Sequence, residues 1–146
     1  TSAELIFDQG LGDIFSVRIA GNIVNEDILG SMEVACKVAD AKAVVVLGHS
    51  KCGAVKGACD HVEMGNLTNL LSKLQPAVYA EKTITDDRTS SNHASVEKVA
   101  TLNVLMAMHQ IHEKSTILND MIIKGEIALI GGMYDVETGI VDFYED

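Results

Sequence analysis

Hydrophobic residues along the chain form short apolar runs, which predict strands, separated by longer stretches with helical spacing. The run at 43–48, Ala-Val-Val-Val-Leu-Gly, is wholly apolar and rich in β-branched residues, as is typical of a strand buried on both faces in a parallel sheet. Residues 127–130 form a second run of this kind. Residues 14–20 predict a strand that ends at the turn pair Gly21–Asn22. Residues 140–144 alternate apolar and acidic side chains, which predicts a half-exposed edge strand.

Helical spacing between these strands predicts several helices. The first begins at a Ser31 cap and runs to Ala41. Residues 67–78 predict an amphipathic helix, which Pro76 must kink or restart because proline cannot donate a hydrogen bond to the preceding turn. A shorter helix covers residues 115–124 and is followed by a glycine suited to end it.

The longest predicted helix follows a polar segment, residues 82–92, which we expect to be a mobile loop. Asn92 is a suitable cap for this helix, which reaches to about Glu113. The helix is apolar on two sides, so we expect one side to pack on the sheet and the other on a second subunit. One side carries Val96, Val99, Ala100, Val104, Ala107 and Ile111, and the other carries Leu102, Leu105 and Met106.

The order of these elements predicts the fold class and the place of a site. Strands that alternate with helices indicate one α/β domain over residues 1–146, with a mainly parallel, Rossmann-like sheet flanked by helices and an antiparallel C-terminal edge strand. In such sheets ligands bind beyond the carboxyl ends of the strands. His49 and Cys52 come directly after the most apolar strand. The pattern therefore predicts chemistry at this end of the sheet.

Composition narrows the class of protein. The chain carries 11 basic and 21 acidic residues, a net charge of −10, which disfavours binding to nucleic acid or to an anionic membrane surface. Its apolar runs are shorter than the ~18 residues of a membrane helix. The three cysteines, at 36, 52 and 59, are odd in number and irregularly spaced. They do not form a disulfide framework, so we expect a cytoplasmic location.

The segment His49-Ser50-Lys51-Cys52 offers an imidazole and a thiol that one tight loop can bring to a single metal ion. Zinc accepts such a nitrogen and sulfur pair. Gly48 and Gly53 flank the segment and let the backbone turn sharply close to an ion or a substrate. Two ligands do not complete a catalytic zinc site, which needs three.

This segment and the remaining cysteines and histidines also have other interpretations. Gly48 and Gly53 have the spacing of a phosphate-binding loop, but alanine and valine replace the Lys and Ser/Thr that must follow. Cys52 acting as a nucleophile with His49 as its base is the better alternative enzyme, although the sequence identifies no acid to orient His49. Ordinary structural roles are expected for Cys36, Cys59, His61, His93, His109 and His112.

Four segments together resemble the β-class carbonic anhydrases. GHSKCGAVKGA at 48–58 resembles that family's His-x-x-Cys zinc loop, and residues 4–22 resemble the stretch after its first zinc ligand. LQPAV at 74–78 and GGMYDVETGIVDF at 131–143 resemble its later helix and last two strands. The resemblance runs from about residue 3 to residue 143 in order, which is more specific than any one motif.

The resemblance implies a zinc-dependent lyase that interconverts carbon dioxide and bicarbonate, with His49 and Cys52 as two of three protein ligands to Zn²⁺. It implies that Gly48 and Gly53 belong to the substrate-pocket loop. Gln9 lies where the family has a glutamine that hydrogen-bonds the substrate from the neighbouring subunit, although a turn or interface role fits it equally. The resemblance also implies a homodimer or a higher homo-oligomer.

One departure from the family pattern qualifies these expectations. In the family, a Cys-x-Asp-x-Arg motif ends the first strand immediately before the stretch that matches Thr1 onward. The sequence therefore lacks the third ligand and a strand from the middle of the family's sheet. We expect the natural protein to be longer. The alternative is a catalytically silent homologue or fragment that keeps the fold and the oligomer interface, and a chain beginning at Thr1 is expected to bind little or no zinc.

Overall fold

The computed structural model describes residues 2–144. No helix in this range is long and apolar enough to cross a membrane. The elements are α1 (Ala3–Ile6), a 3₁₀ turn (Ala20–Asn22), α2 (Glu26–Glu33), a π-helical turn (Val34–Val38), β1 (Ala43–His49), α3 (Gly53–Cys59), α4 (Gly65–Ser72), α5 (Gln75–Ala80), α6 (His93–Lys114), α7 (Thr116–Ile123), β2 (Ala128–Tyr134) and β3 (Val141–Phe143).

The sheet has the order β1-β2-β3. β1 and β2 are parallel, with Ala43 opposite Ala128 and His49 opposite Tyr134. β3 pairs antiparallel with the end of β2. A parallel pair with an antiparallel C-terminal edge strand, covered by helices, confirms the predicted α/β fold class.

The strand predicted at residues 14–20 is wrong. Residues 14–19 form no ladder and end in the 3₁₀ turn, and most of their side chains are exposed. Extended backbone becomes a strand only where a neighbouring strand supplies hydrogen-bonding groups. Within residues 2–144 no strand pairs with the outer edge of β1, so burial of β1 on both faces is also wrong: Val46 is 6% exposed but Val45 is 38% exposed.

The first long helix begins earlier than the Ser31 cap predicts. The Asn25 side-chain oxygen accepts a hydrogen bond from the Ile28 amide at 2.9 Å, which makes Asn25 the N-terminal cap. Glu26 and Asp27 then occupy the first turn, where carboxylates interact favourably with the helix dipole. Ser31 lies inside the helix, and its hydroxyl donates to the Asp27 carbonyl at 2.8 Å.

The predictions for the central helices are largely confirmed. Pro76 separates α4 from α5 and lies in the first turn of α5, where its missing N–H costs nothing. The Asn92 side chain caps α6. The second apolar side of α6 is only partly free, because Leu102 and Met106 pack against a core cluster of this chain. Leu105 is 44% exposed, and the packing of this side on a second subunit stays a prediction.

The polar loop at 82–92 is held to the domain by side-chain hydrogen bonds. The Arg88 guanidinium donates to the carbonyls of Val78 and Ile84, both at 2.8 Å. The Asp60 carboxylate accepts from the Ser90 amide at 2.7 Å and from its hydroxyl at 2.5 Å. The mobility of this loop stays a prediction, but these contacts give the loop a defined course.

Helix α6 lies unusually close to the sheet, because two strand residues have no side chain. A Cβ at Gly48 would lie 2.7 Å from Val104 Cγ2, and a Cβ at Gly131 would lie 2.5 Å from Met108 Sδ. Two clusters of buried residues form the core, one with α3–α5 and the other with α2 and α7. Met133 of β2 packs against both clusters.

Candidate functional site

An open cleft of about 640 Å³ lies at the carboxyl end of β1. Its lining includes Gly48, His49, Cys52 and Gly53 from the loop after β1, and Asn103 from α6. The segment 17–22 forms a further part of its wall. Its volume falls within the ~300–1,000 Å³ typical of small-molecule sites. Its position at the carboxyl end of β1 is the one at which the strand pattern predicts chemistry.

The His49 ring has a defined tautomer in this geometry. Its Nδ1 atom lies 2.8 Å from the Ser50 carbonyl oxygen. A carbonyl oxygen can only accept a hydrogen bond, so Nδ1 donates, and in the neutral ring Nε2 keeps its lone pair. Histidine ligands to metals are commonly held in this way, with the second ring nitrogen donating to a carbonyl or a carboxylate.

Cys52 reaches the same cleft through a sharp turn of the backbone. Lys51, the residue before it, has φ of 56°, in the left-handed region that lysine rarely adopts. The turn leaves Cys52 at the N-terminal cap position of α3, with the residue 9% exposed. His49 and Cys52 therefore line a single cleft.

The other cysteines lie outside the cleft. Cys36 is 3% exposed in one core cluster and Cys59 is 4% exposed in the other. Burial raises the pKa of both thiols, which keeps them protonated and poor as ligands or nucleophiles.

The helix histidines also have ordinary partners. The His109 ring faces Glu113 at 3.4 Å, and His112 Nδ1 lies 2.8 Å from the Asn119 side-chain oxygen. Within residues 2–144 no three His, Cys, Asp or Glu side chains come together in a way that could hold a metal ion.

Gln9 lies in the N-terminal segment and is not among the residues that line the cleft. It is exposed, and its side-chain amide donates to the Phe7 carbonyl at 3.0 Å. Its predicted role toward a neighbouring subunit stays a prediction.

Two asparagines of the cleft were not identified from the sequence. Asn103 donates to the Gly21 carbonyl at 2.7 Å, and Asn22 donates to the Leu47 carbonyl at 3.2 Å. Together they fasten the wall at 17–22 to α6 and to β1. Asn103 is 7% exposed among buried α6 residues that, apart from Ser95, are apolar. A polar residue within an apolar stripe needs a hydrogen-bond partner. This pattern is the sequence signal that could have identified Asn103.

The two donor residues of the cleft fit zinc, and they supply two of the three protein ligands that a catalytic zinc site needs. The imidazole nitrogen and the thiol sulfur are both preferred zinc ligands, and the fixed His49 tautomer presents a lone pair at Nε2. This fit depends on the chemistry of the two side chains and on their shared cleft. His49, Cys52, Gly48 and Gly53 as site residues stay predictions.

Comparison with known sequences gives the family. A family model described as carbonic anhydrase matches residues 1–141. Carbonic anhydrase 2 of Mycobacterium tuberculosis is 33% identical over 144 residues, covering 94% of this chain and 66% of that protein. The carbonic anhydrase of Mycolicibacterium smegmatis is 30% identical over 146 residues, covering 97% of this chain and 68% of that protein. The chain thus spans about two thirds of the length of these relatives.

Comparison with solved structures gives the fold. One of two tetrameric β-carbonic anhydrases from Sordaria macrospora matches with a TM-score of 0.87 and 24% identity, covering 99% of this chain and 75% of the other. The β-carbonic anhydrase CafA of Aspergillus fumigatus matches with a TM-score of 0.82 and 25% identity, covering 99% of this chain and 69% of the other.

Proposed function

This chain belongs to the β-class carbonic anhydrase family, and from this premise we propose that the protein interconverts carbon dioxide and bicarbonate with zinc bound in part by His49 and Cys52. The observation that carries the proposal is the shared cleft. Both residues line it at the carboxyl end of β1, and the neutral His49 ring leaves Nε2 available. Family membership supports the reaction, and the size and lining of the cleft are compatible with it.

The residues of the cleft have distinct roles in this proposal. When bound, zinc supplies a Lewis acid that makes water a nucleophile near neutral pH. The Ser50 carbonyl holds the His49 ring in the metal-binding tautomer. Cys52 binds as the thiolate and adds negative charge beside the ion. Apolar lining residues, including Leu47, Val55 and Ala100, suit carbon dioxide, which has no net dipole.

The alternative of a cysteine nucleophile gains no support from the hydrogen bonds. A base that activates a thiol is usually oriented by a third polar side chain. The Nδ1 partner of His49 is a backbone carbonyl, which fixes the ring but carries no charge to stabilise an imidazolium. This contact favours a metal ligand over a general base.

Self-association and a cytoplasmic location belong to the same proposal. The N-terminal segment exposes Leu5, Leu11 and Phe15 by 75%, 95% and 61%, an apolar surface that a second copy of the chain would cover. Gln9 lies on this segment, close to such an interface. The tetrameric Sordaria macrospora neighbours are consistent with a homo-oligomer.

Ligand substitutions test the proposal directly. Zinc affinity and carbon dioxide hydration would be measured for a chain that carries the expected upstream Cys-x-Asp-x-Arg strand, without substitution and with His49→Ala or Cys52→Ala. We expect each substitution to weaken zinc affinity by more than about 100-fold, because losing a direct ligand costs more than losing an outer-sphere partner. His109→Ala is the matched control, since this ring is 78% exposed and lies outside the cleft. Unchanged zinc affinity in both ligand variants would refute the assignment.

A further inference from the structure

We propose that Ser50 is a positioning residue for His49 and Cys52, which it holds by fastening their loop to β2 and to the turn that follows. The inference rests on the proposed function for its significance, but its structural content can be tested without metal. Ser50 lies between the two site residues in the chain and is only 8% exposed.

All three polar groups of Ser50 have assigned partners. Its amide donates to the Tyr134 carbonyl at 2.9 Å, which extends the β1–β2 pairing one residue beyond His49. Its hydroxyl oxygen accepts from the Val136 amide at 2.9 Å. Its carbonyl accepts from His49 Nδ1 at 2.8 Å. The carbonyl that orients the His49 ring therefore belongs to Ser50, whose backbone amide and hydroxyl are each held by a further hydrogen bond.

The turn that holds Ser50 is itself tied together. The Asp135 amide donates to the Ile140 carbonyl at 2.9 Å, and the Gly139 amide donates to the Asp135 carbonyl at 2.8 Å. The Asp135 carboxylate also accepts from the Glu137 amide at 2.8 Å. The anchor for the His49–Cys52 loop is therefore a closed turn and not a free strand end.

A second contact joins the same loop and turn, but it is the weaker one. The Lys51 ammonium pairs with the Glu137 carboxylate, and these side chains are 45% and 65% exposed. Exposed ion pairs contribute little because water and salt screen them. The Ser50 hydroxyl contact is better shielded, so we assign the positioning role to Ser50.

Ser115 offers a matched control for a purely structural serine. It is 1% exposed, its hydroxyl accepts from the Leu118 amide at 3.1 Å and it donates to the Glu33 carboxylate at 2.7 Å. Replacing Ser50 or Ser115 with alanine removes a comparable backbone contact. Only the Ser50 contact lies next to the cleft.

The first measurement follows alkylation of the three cysteines in metal-free protein by peptide mass spectrometry. We expect Ser50→Ala to raise the alkylation rate of Cys52 about 5-fold, since loss of one net hydrogen bond frees the loop, and to leave Cys36 and Cys59 unchanged. Ser115→Ala should leave the rate ratio among the cysteines unchanged, and Ser50→Thr, which keeps the hydroxyl, should restore slow Cys52 labelling. A uniform rise at all three cysteines in Ser50→Ala, or no rise at Cys52, would overturn the inference.

The second measurement is a Co²⁺ titration followed by the thiolate-to-cobalt absorption band. We expect Ser50→Ala to weaken Co²⁺ binding about 10-fold, as is typical for loss of an outer-sphere partner, and Ser115→Ala to leave it unchanged. Equal affinities in the two variants would count against positioning. If Cys52 binds no Co²⁺ even in an unsubstituted chain that carries the upstream Cys-x-Asp-x-Arg strand, the proposed metal function fails, while the alkylation rates still decide the role of Ser50.

Discussion

Gly48 joins the core to the site, and its replacement by alanine gives a demanding test of the packing described above. A Cβ at this position would lie 2.7 Å from Val104 Cγ2 and 3.1 Å from Met133 Cε. The methionine end is flexible and can move aside. Val104 cannot, because it is 1% exposed and a β-branched side chain on a helix has one strongly preferred rotamer. The clash with Val104 therefore decides the outcome.

The magnitude follows from this geometry. Overpacking a close-packed core typically costs about 1–3 kcal/mol, and we expect Gly48→Ala to lower the free energy of unfolding by about 2 kcal/mol. For a chain of this length, each kcal/mol shifts the midpoint of thermal unfolding by about 2–4 °C. The midpoint should therefore fall by about 4–8 °C.

Urea unfolding of Gly48→Ala, compared with Gly30→Ala, measures the effect. Gly30 lies inside α2, and a Cβ there meets nothing within 4 Å. An alanine at that position should stabilise the protein by about 0.5–1 kcal/mol, because glycine is unfavourable within a helix. Two glycine-to-alanine changes in one chain should thus have opposite signs.

A double-mutant cycle with Val104→Ala identifies the cause. Val104→Ala alone removes buried methyl groups and should cost about 2 kcal/mol. In the double variant the alanine at position 48 occupies space that the valine has left. The double variant should therefore lose at least about 1 kcal/mol less free energy of unfolding than the two single variants lose in sum. Additive costs would refute the proposed clash between Gly48 and Val104.

Two further predictions concern polar contacts. The Thr83 hydroxyl and two backbone amides hold the pKa of Glu81 below its ordinary value of 4.5. The ionised Glu81 carboxylate therefore stabilises the folded state fully above pH 4.5, and this stabilisation is lost as the pH falls through the lowered pKa. Protection factors for amide exchange at residues 82–92, which correct for the intrinsic pH dependence of exchange, should therefore fall below pH 4.5, and Glu81→Gln should weaken that fall. Asn103→Ala removes the hydrogen bond to the Gly21 carbonyl and should lower the free energy of unfolding by about 1–3 kcal/mol, and an unchanged urea midpoint would contradict its role in holding the cleft wall.

The sequence predicts best those features that depend on local chemistry. Pro76 must begin or break a helix wherever it occurs, and the structure has it in the first turn of α5. Asn92 caps α6 as its side chain predicts. The parallel pairing of β1 with β2 follows from their apolar runs and from the long helical connection between them.

The features that the sequence predicts poorly depend on distant parts of the chain. Residues 14–20 have the composition of a strand, but composition does not supply a neighbouring ladder. Ser31 and Asn25 are both good caps, and only the course of the chain decides that the helix begins at Asn25. Asn103 reaches a carbonyl that lies 82 positions away in the sequence, a distance over which no local pattern extends.

The methionine between the two core clusters has a consequence for oxidative damage. A thioether is readily oxidised to a sulfoxide, which is polar and which cells repair with dedicated reductases. Because Met133 contacts both clusters, a single added oxygen atom would place a dipole against both halves of the hydrophobic interior. Oxidation of Met133 would therefore loosen both clusters together, and reduction of this one side chain would reverse that effect.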